Sequence, residues 1–443
     1  MRRDRQGNLP CFFVFAAILA QLIPATVPAD GIWSDAIVPP VSPMNAVDFS
    51  DRANAWAVGN QGNILRYQFG AWNIFPSATD QNMYAVDTQG GDSAWAVGAG
   101  GTIMHWNGDR WAVHPASGVA TDKDLFAVAF LNENNGWAAG GGTTVFGGSD
   151  QPGVILHYDG TSWTMAKNLS CTVTGMAAVA SDYVWFCGYN RSLTLFNGTG
   201  FSSTNFETDG KAWRAVSFPY NRLGWVVGDE GAVARFSPSK YPAGNYLGWG
   251  TYFVDSSGIA SPTAAGYAAT AAQLNGVCVL PDPEWGYIAG AGGVRLRLGD
   301  DSIFRQEAAG GTDLLDIDLA NHEEGAAVGG TTLTGPRVAM LRERTTATGF
   351  PGTRIYPNPF EPMKGGILTL DRLPGNASKI DIFTMEGDKV AAIGNGVEYR
   401  ADIGVATWNG KVGGKAAASG AYLVQLSAPG VKGKTLVFIL VKR

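Results

Sequence analysis

Three aspartates, Asp48, Asp87 and Asp318, each directly follow an apolar landmark (Val47, Val86 and Ile317) that opens a repeated unit. Carboxylates gathered at one end of a channel offer hard oxygen ligands for Ca²⁺, or an acid and a base for hydrolysis. Elsewhere the count places Ala129, Ala180, Ser217 and Leu280 in that slot, so the acids are a local set; the alternative role is a hydrated acid capping a hairpin. A second candidate lies in the long fifth repeat, where Tyr241, Tyr246, Trp249, Tyr252 and Tyr267 cluster with Phe253. Rings on a loop give stacking area for a sugar or peptide at little entropic cost; alternatively they pack the longer unit. His105 and His157 share a slot with Arg66, Arg235 and Arg297, a pattern that reads as a structural ladder of long polar side chains. His114 and His322 stand without a nucleophile or carboxylate around them. Only Arg214 falls in a first strand, so no clamp of three inward arginines is available. The glycine runs lead into strands and are hairpin turns, not phosphate cradles.

Composition limits what these residues can serve. Of 443 residues, 16% are charged and 45% hydrophobic, enough to bury a core, with 60 Gly and 14 Trp. Abundant Gly and aromatics at low charge favour short strands and tight turns. A net charge of −6 argues against a nucleic-acid partner held by bulk charge. Arg2, Arg3 and Arg5 precede an apolar run from Cys11 to Ile23 and a small-residue end at Val27-Pro28-Ala29. That order is expected of a signal peptide over 1–29, too short in its apolar part to span a bilayer, so the mature chain is expected to lack a transmembrane helix. Cys171, Cys187 and Cys278 remain, an odd number and no disulfide framework.

The elements that position the candidates follow from internal repetition. Ala55-Trp56-Ala57-Val58-Gly59 returns as Ala94-Trp95-Ala96-Val97-Gly98, and weaker copies close on Gly140, Gly188, Gly228, Gly290 and Gly329. An apolar landmark stands nine residues before the aromatic position at Val47, Val86, Val128, Val216, Cys278 and Ile317; the fourth repeat reads as shorter, with Val179 six before Trp185. Each unit then reads as four strands, the third and fourth joined by turns such as Asn107-Gly108 or Asp159-Gly160. The seventh unit lacks a fourth strand, and Asp30-Gly31-Ile32-Trp33 matches the start of one. The expected fold is therefore all-β: a seven-bladed β-propeller over 30–344, closed by its own N-terminus. Six or eight blades are the alternative, because the fifth repeat is long enough to hide a half-blade. In that repeat, 247–255 is expected as the fourth strand and 256–272 as a loop on the ligand face. A linker at 345–353 leads to a small Ig-like β-sandwich over 354–443.

Residues 97–111 and 153–163 resemble the repeats of BNR/Asp-box-like and photosystem II assembly-factor-like propellers, although Asp159-Gly160 are adjacent, unlike a true Asp box. The C-terminal part resembles the sorting domain of type IX secretion cargo and its relative, the flagellar hook-cap-type Ig-like domain. Tyr356-Pro357-Asn358-Pro359-Phe360, Met385-Glu386-Gly387, Trp408-Asn409-Gly410, Ser419-Gly420-Ala421-Tyr422 and Lys442-Arg443 carry that resemblance. It implies export to the bacterial cell surface by outer-membrane machinery that recognises 354–443; an Ig-like spacer is the other reading. The expectation is a secreted or surface propeller without catalysis that binds an extracellular glycan or protein. A carbohydrate-active hydrolase or lyase on the same scaffold, and an assembly or structural factor, are the alternatives.

Overall fold

The computed structural model describes residues 32–441, except 37, 69, 91, 143–151, 206–210, 221–222, 237–248, 255–259, 263–271, 281–284, 299–303, 309–310, 322–323, 332–334, 343–349, 351–352, 357, 359–366 and 402–403. The expected signal peptide lies outside them. Seven antiparallel sheets follow one another, and a separate sheet forms at the C-terminus. The innermost strands are Met44–Asp51, Met83–Thr88, Asp124–Asn132, Val173–Ala180, Trp213–Tyr220, Leu274–Leu280 and Leu314–Asn321. Each lies beside the next, and the seventh lies beside the first, so the sheets form a ring.

Each blade's second strand shows why the repeat ends in glycine. The residue after the glycine donates its N–H to a carbonyl at the start of the same blade: Asn60 to Pro43 at 3.1 Å, Ala99 to Asn82 at 2.9 Å, Asp229 to Ala212 at 3.0 Å. That bond brings the carbonyl onto the glycine itself. A Cβ on Gly98 would stand 2.1 Å from the oxygen of Asn82, and one on Gly140 1.9 Å from that of Asp124. The second strands are buried on both faces, as in Leu223–Gly228, which explains their unbroken apolar runs.

Seven apolar clusters fill the seven seams, each drawn from two neighbouring blades. In one, Trp56, Trp106 and Trp111 meet with ring centroids 5.0–6.2 Å apart. The N-terminal strand Ile32–Asp35 pairs antiparallel with Gly335–Arg342, Trp33 opposite Leu341. It is the outer strand of blade seven, as the match at 30–33 indicated. Trp33 meets Tyr287 of blade six edge-on at 5.1 Å, and Arg337 Nε donates to Asp35 Oδ1 at 3.1 Å.

Three details differ from the repeat count. Ala177, not Ala180, faces Trp185, so the fourth landmark is Met176 and its spacing matches the others. In blade six, Cys278 faces Tyr287, so Val277 is the landmark and Cys278 itself holds the slot given to Leu280. Among its described residues the fifth repeat shows no half-blade: Trp249–Val254 is its fourth strand, and Ala260–Pro262 adds a fifth at the outer edge, within the stretch expected as a loop. The C-terminal sheet has eight strands with its own core around Leu370, Ile382, Trp408, Tyr422, Val424 and Phe438.

Replacing Gly98 by Ala forces backbone apart, whereas a Cβ on Gly100 (φ +60°) meets open space. Gly100→Ala is expected to cost about 1–2 kcal/mol for its left-handed backbone, and Gly98→Ala clearly more, in equilibrium urea unfolding. Trp33→Ala is expected to cost roughly 2–4 kcal/mol, read as a lower thermal midpoint; an unchanged midpoint would show that the N-terminal strand does not hold the ring closed.

Candidate functional site

The inner strands surround a channel of about 380 Å³. Its lining is layered. One ring, set by the residues opposite the second-strand aromatic position, is Asp48, Asp87, Ala129, Ala177, Ser217, Cys278 and Asp318. Three residues earlier in each strand stands a second ring, Asn45, Tyr84, Phe126, Thr174, Arg214, Asn275 and Leu315. This ring is nearer the face that carries the second-to-third turns.

The three expected aspartates do share one channel level, on blades seven, one and two. Asp316, which sequence reasoning missed, joins them at a position where the other blades carry only Ala or Gly: Ala46, Ala85, Ala127, Gly175, Ala215 and Gly276. That exception to a small-residue column was the available signal. The carboxyl groups reach across seams to backbone N–H groups of the following blade. Phe49 N–H donates to Asp318 Oδ2 at 2.8 Å, Val47 N–H to Asp316 Oδ2 at 3.0 Å and Thr88 N–H to Asp48 Oδ2 at 2.7 Å. The Thr88 hydroxyl also bonds Asp48, and Asp87 accepts from Gln89 Nε2 at 2.7 Å and from the Phe130 amide. Ser217 continues the pattern, accepting from Val279 N–H at 3.1 Å. Among the described residues, no group of three or more His, Cys, Asp or Glu side chains is placed to hold a metal ion.

Desolvation raises all four carboxyls. Asp48 is pushed well above the usual range by burial, then by Asp318 and Asp87; Asp87 and Asp316 are pushed up to about 7, chiefly by burial. Burial likewise lifts the Cys278 thiol, which donates to Asp318 Oδ1 at 3.3 Å. Arg214 is the one basic side chain among the described residues lining the channel. Its Nε pairs with Asp229 Oδ1 at 2.8 Å, and its guanidinium lies 5.8 Å from the Tyr189 ring. On the second and third blades, Tyr84 and Phe126 form a ring pair 5.1 Å apart in the same layer.

The ladder residues sit on third strands, away from the channel. Arg66 lies 4.9 Å over Trp56 and Arg235 5.2 Å over Trp225, while His105 stacks on Trp95 at 4.2 Å and His157 packs on Trp137 at 4.3 Å. They cover the second-strand aromatics, a cation–π and stacking role. Of the aromatic set in the fifth repeat, Tyr241, Tyr246 and Tyr267 lie outside the described residues. Tyr252 is in the strand Trp249–Val254. Trp249 is 2% exposed, wedged against Trp185 of blade four and Phe218 of its own blade. It is a seam residue and not part of an open stacking platform, because a fourth strand starts there and turns its first ring into the seam.

No family model matches the sequence, and no curated protein matches it. Solved structures do. The chain is similar to the YCF48 structure described as bound to D1 peptide, at 14% identity and TM-score 0.52 over 72% of this chain and 99% of that one. It is similar to YCF48 from Cyanidioschyzon merolae at 13% identity, TM-score 0.53, over 70% and 98%. It is also similar to PorZ, described as an essential bacterial surface component of the type-IX secretion system of Porphyromonas gingivalis. That match has 15% identity and TM-score 0.51 and covers 91% of this chain, which spans 60% of PorZ. At these identities the likeness is one of fold alone.

Trp249→Ala is expected to cost about 3–5 kcal/mol by opening the seam between blades four and five. Urea denaturation measures it; a variant as stable as the parent would return Trp249 to the surface.

Proposed function

We propose that this protein is a non-catalytic binding propeller of the bacterial cell surface, carried there through residues 354–443, and that it takes an extended protein segment at the Arg214 end of its channel. The observation that carries the reading is the division of labour in the channel. The acids that hydrolysis would require are engaged as acceptors between blades, whereas the outer ring offers Arg214 and the Tyr84–Phe126 pair to a ligand. A preformed concave site with few polar groups and adjacent rings is the usual form of a recognition pocket. YCF48 bound to a peptide and PorZ at a bacterial surface are neighbours in fold that support it. The independent core of the C-terminal sheet supports a module recognised apart from the ring.

Two measurements test this. Mature protein bound to an array of surface-protein peptides and glycans is expected to retain peptides, and Arg214→Ala to weaken retention by about tenfold or more. Retention of glycans alone would replace the ligand class. Removal of 354–443 is expected to leave the propeller in the periplasm; undiminished surface delivery would end the sorting role.

A further inference from the structure

The carboxyls of Asp316, Asp318, Asp48 and Asp87 fasten blades seven, one, two and three in series. Among the described residues their surroundings supply no positive charge. Blade six contributes the Cys278 thiol, bonded to Asp318. Blade one adds Asn45, whose amide donates to Met83 O at 2.8 Å. Blade two adds the Thr88 hydroxyl and Gln89 amide, and blade three the Phe130 amide. On blade four, Thr174, Met176 and Ala178 line the channel, none of them titratable. On blade five the lining cation, Arg214, is engaged by Asp229. Four ionised carboxylates in this setting repel one another and lose hydration, and among the described residues no ammonium or guanidinium stands beside them to offset either cost.

We propose that the seams joining blades seven, one and two are a proton-dependent fastening: neutral carboxyls hold the blades together, and ionisation loosens them. Burial holds the folded-state values of these acids above the ordinary carboxylate value of 3.8, with Asp87 and Asp316 up to about 7. The folded chain therefore binds more protons than the unfolded chain above pH ~4, and its stability falls as pH rises toward and through ~7. His105, His114 and His157 act in the opposite sense. Burial lowers them, so they favour the fold as pH rises to about 6.5 and contribute no further change above it.

The test uses the full mature chain and compares wild type with D48N/D316N, whose amides still accept the seam N–H groups but cannot ionise. Thermal midpoints are measured from pH 5 to pH 8. The wild-type midpoint is expected to fall across this range, the variant's slope to be at most about half as steep, and the variant to be the more stable protein at pH 8. Parallel curves would overturn the proposal. If the variant does not fold, hydrogen exchange on wild type decides. After correction for intrinsic pH dependence, protection of the Val47, Phe49 and Thr88 amides is expected to drop about tenfold between pH 5 and pH 8, while amides of Leu223–Gly228 keep theirs. Equal protection at the two pH values refutes the fastening.

Discussion

In every blade one carbonyl oxygen lies where a side chain would otherwise begin. Asn82, Asp124 and their counterparts place their C=O against the closing glycine and accept the N–H of the residue beyond it. In blades two, three and seven the same residues also secure the neighbouring blade. The amide of Gly100 donates to Asp124 Oδ1 at 2.8 Å, that of Gly292 to Asp313 Oδ1 at 2.7 Å, and that of Gln61 to Asn82 Oδ1 at 2.9 Å. One position thus fixes the second-strand exit of its own blade by backbone and the turn of the preceding blade by side chain.

Between these anchored ends, the seams are filled by different means according to depth. Near the axis the column of Ala and Gly lets strands approach, and polar side chains bridge to the next backbone: Asn275 to Leu314 O at 2.8 Å, and Thr174 to Trp213 O. Farther out, the second-strand aromatics are covered by Arg or His from the third strand, and tryptophans from the outer strands complete the seal. Buried backbone near the channel is thereby partnered by side chains where no sheet ladder continues.

Much of this architecture was legible because the closing glycine has a steric cause that tolerates no substitute. The Asn107-Gly108 and Asp159-Gly160 turns were legible for a similar reason: each glycine has a positive φ, and each Asx side chain accepts the amides that follow it. The inner strands were harder. Met176 stands at the common nine-residue spacing but among apolar neighbours of the same kind, and in blade six the aromatic position lies one residue farther from its landmark, which hid the role of Cys278. Spacing brought Asp48, Asp87 and Asp318 to one level, but their partners are backbone amides of other blades and leave no mark in composition. Trp249 was placed in the fourth strand by the sequence, but strand position alone does not say that its ring turns into the seam and not toward a ligand.

The N-terminal strand has a kinetic consequence. Asp35 and Arg337 are 302 positions apart, so the ring's final contact joins the earliest and latest parts of the propeller chain. Until residues 335–342 have been synthesised, Trp33 and its neighbours have no docking place, and blade seven has no outer strand to receive. Pairings of such long contact order form slowly. The nascent chain therefore passes through an interval in which both ends of an unfinished circle are available to chaperones, proteases or another molecule's sheet, and the rate of that last annealing step governs how long the interval lasts.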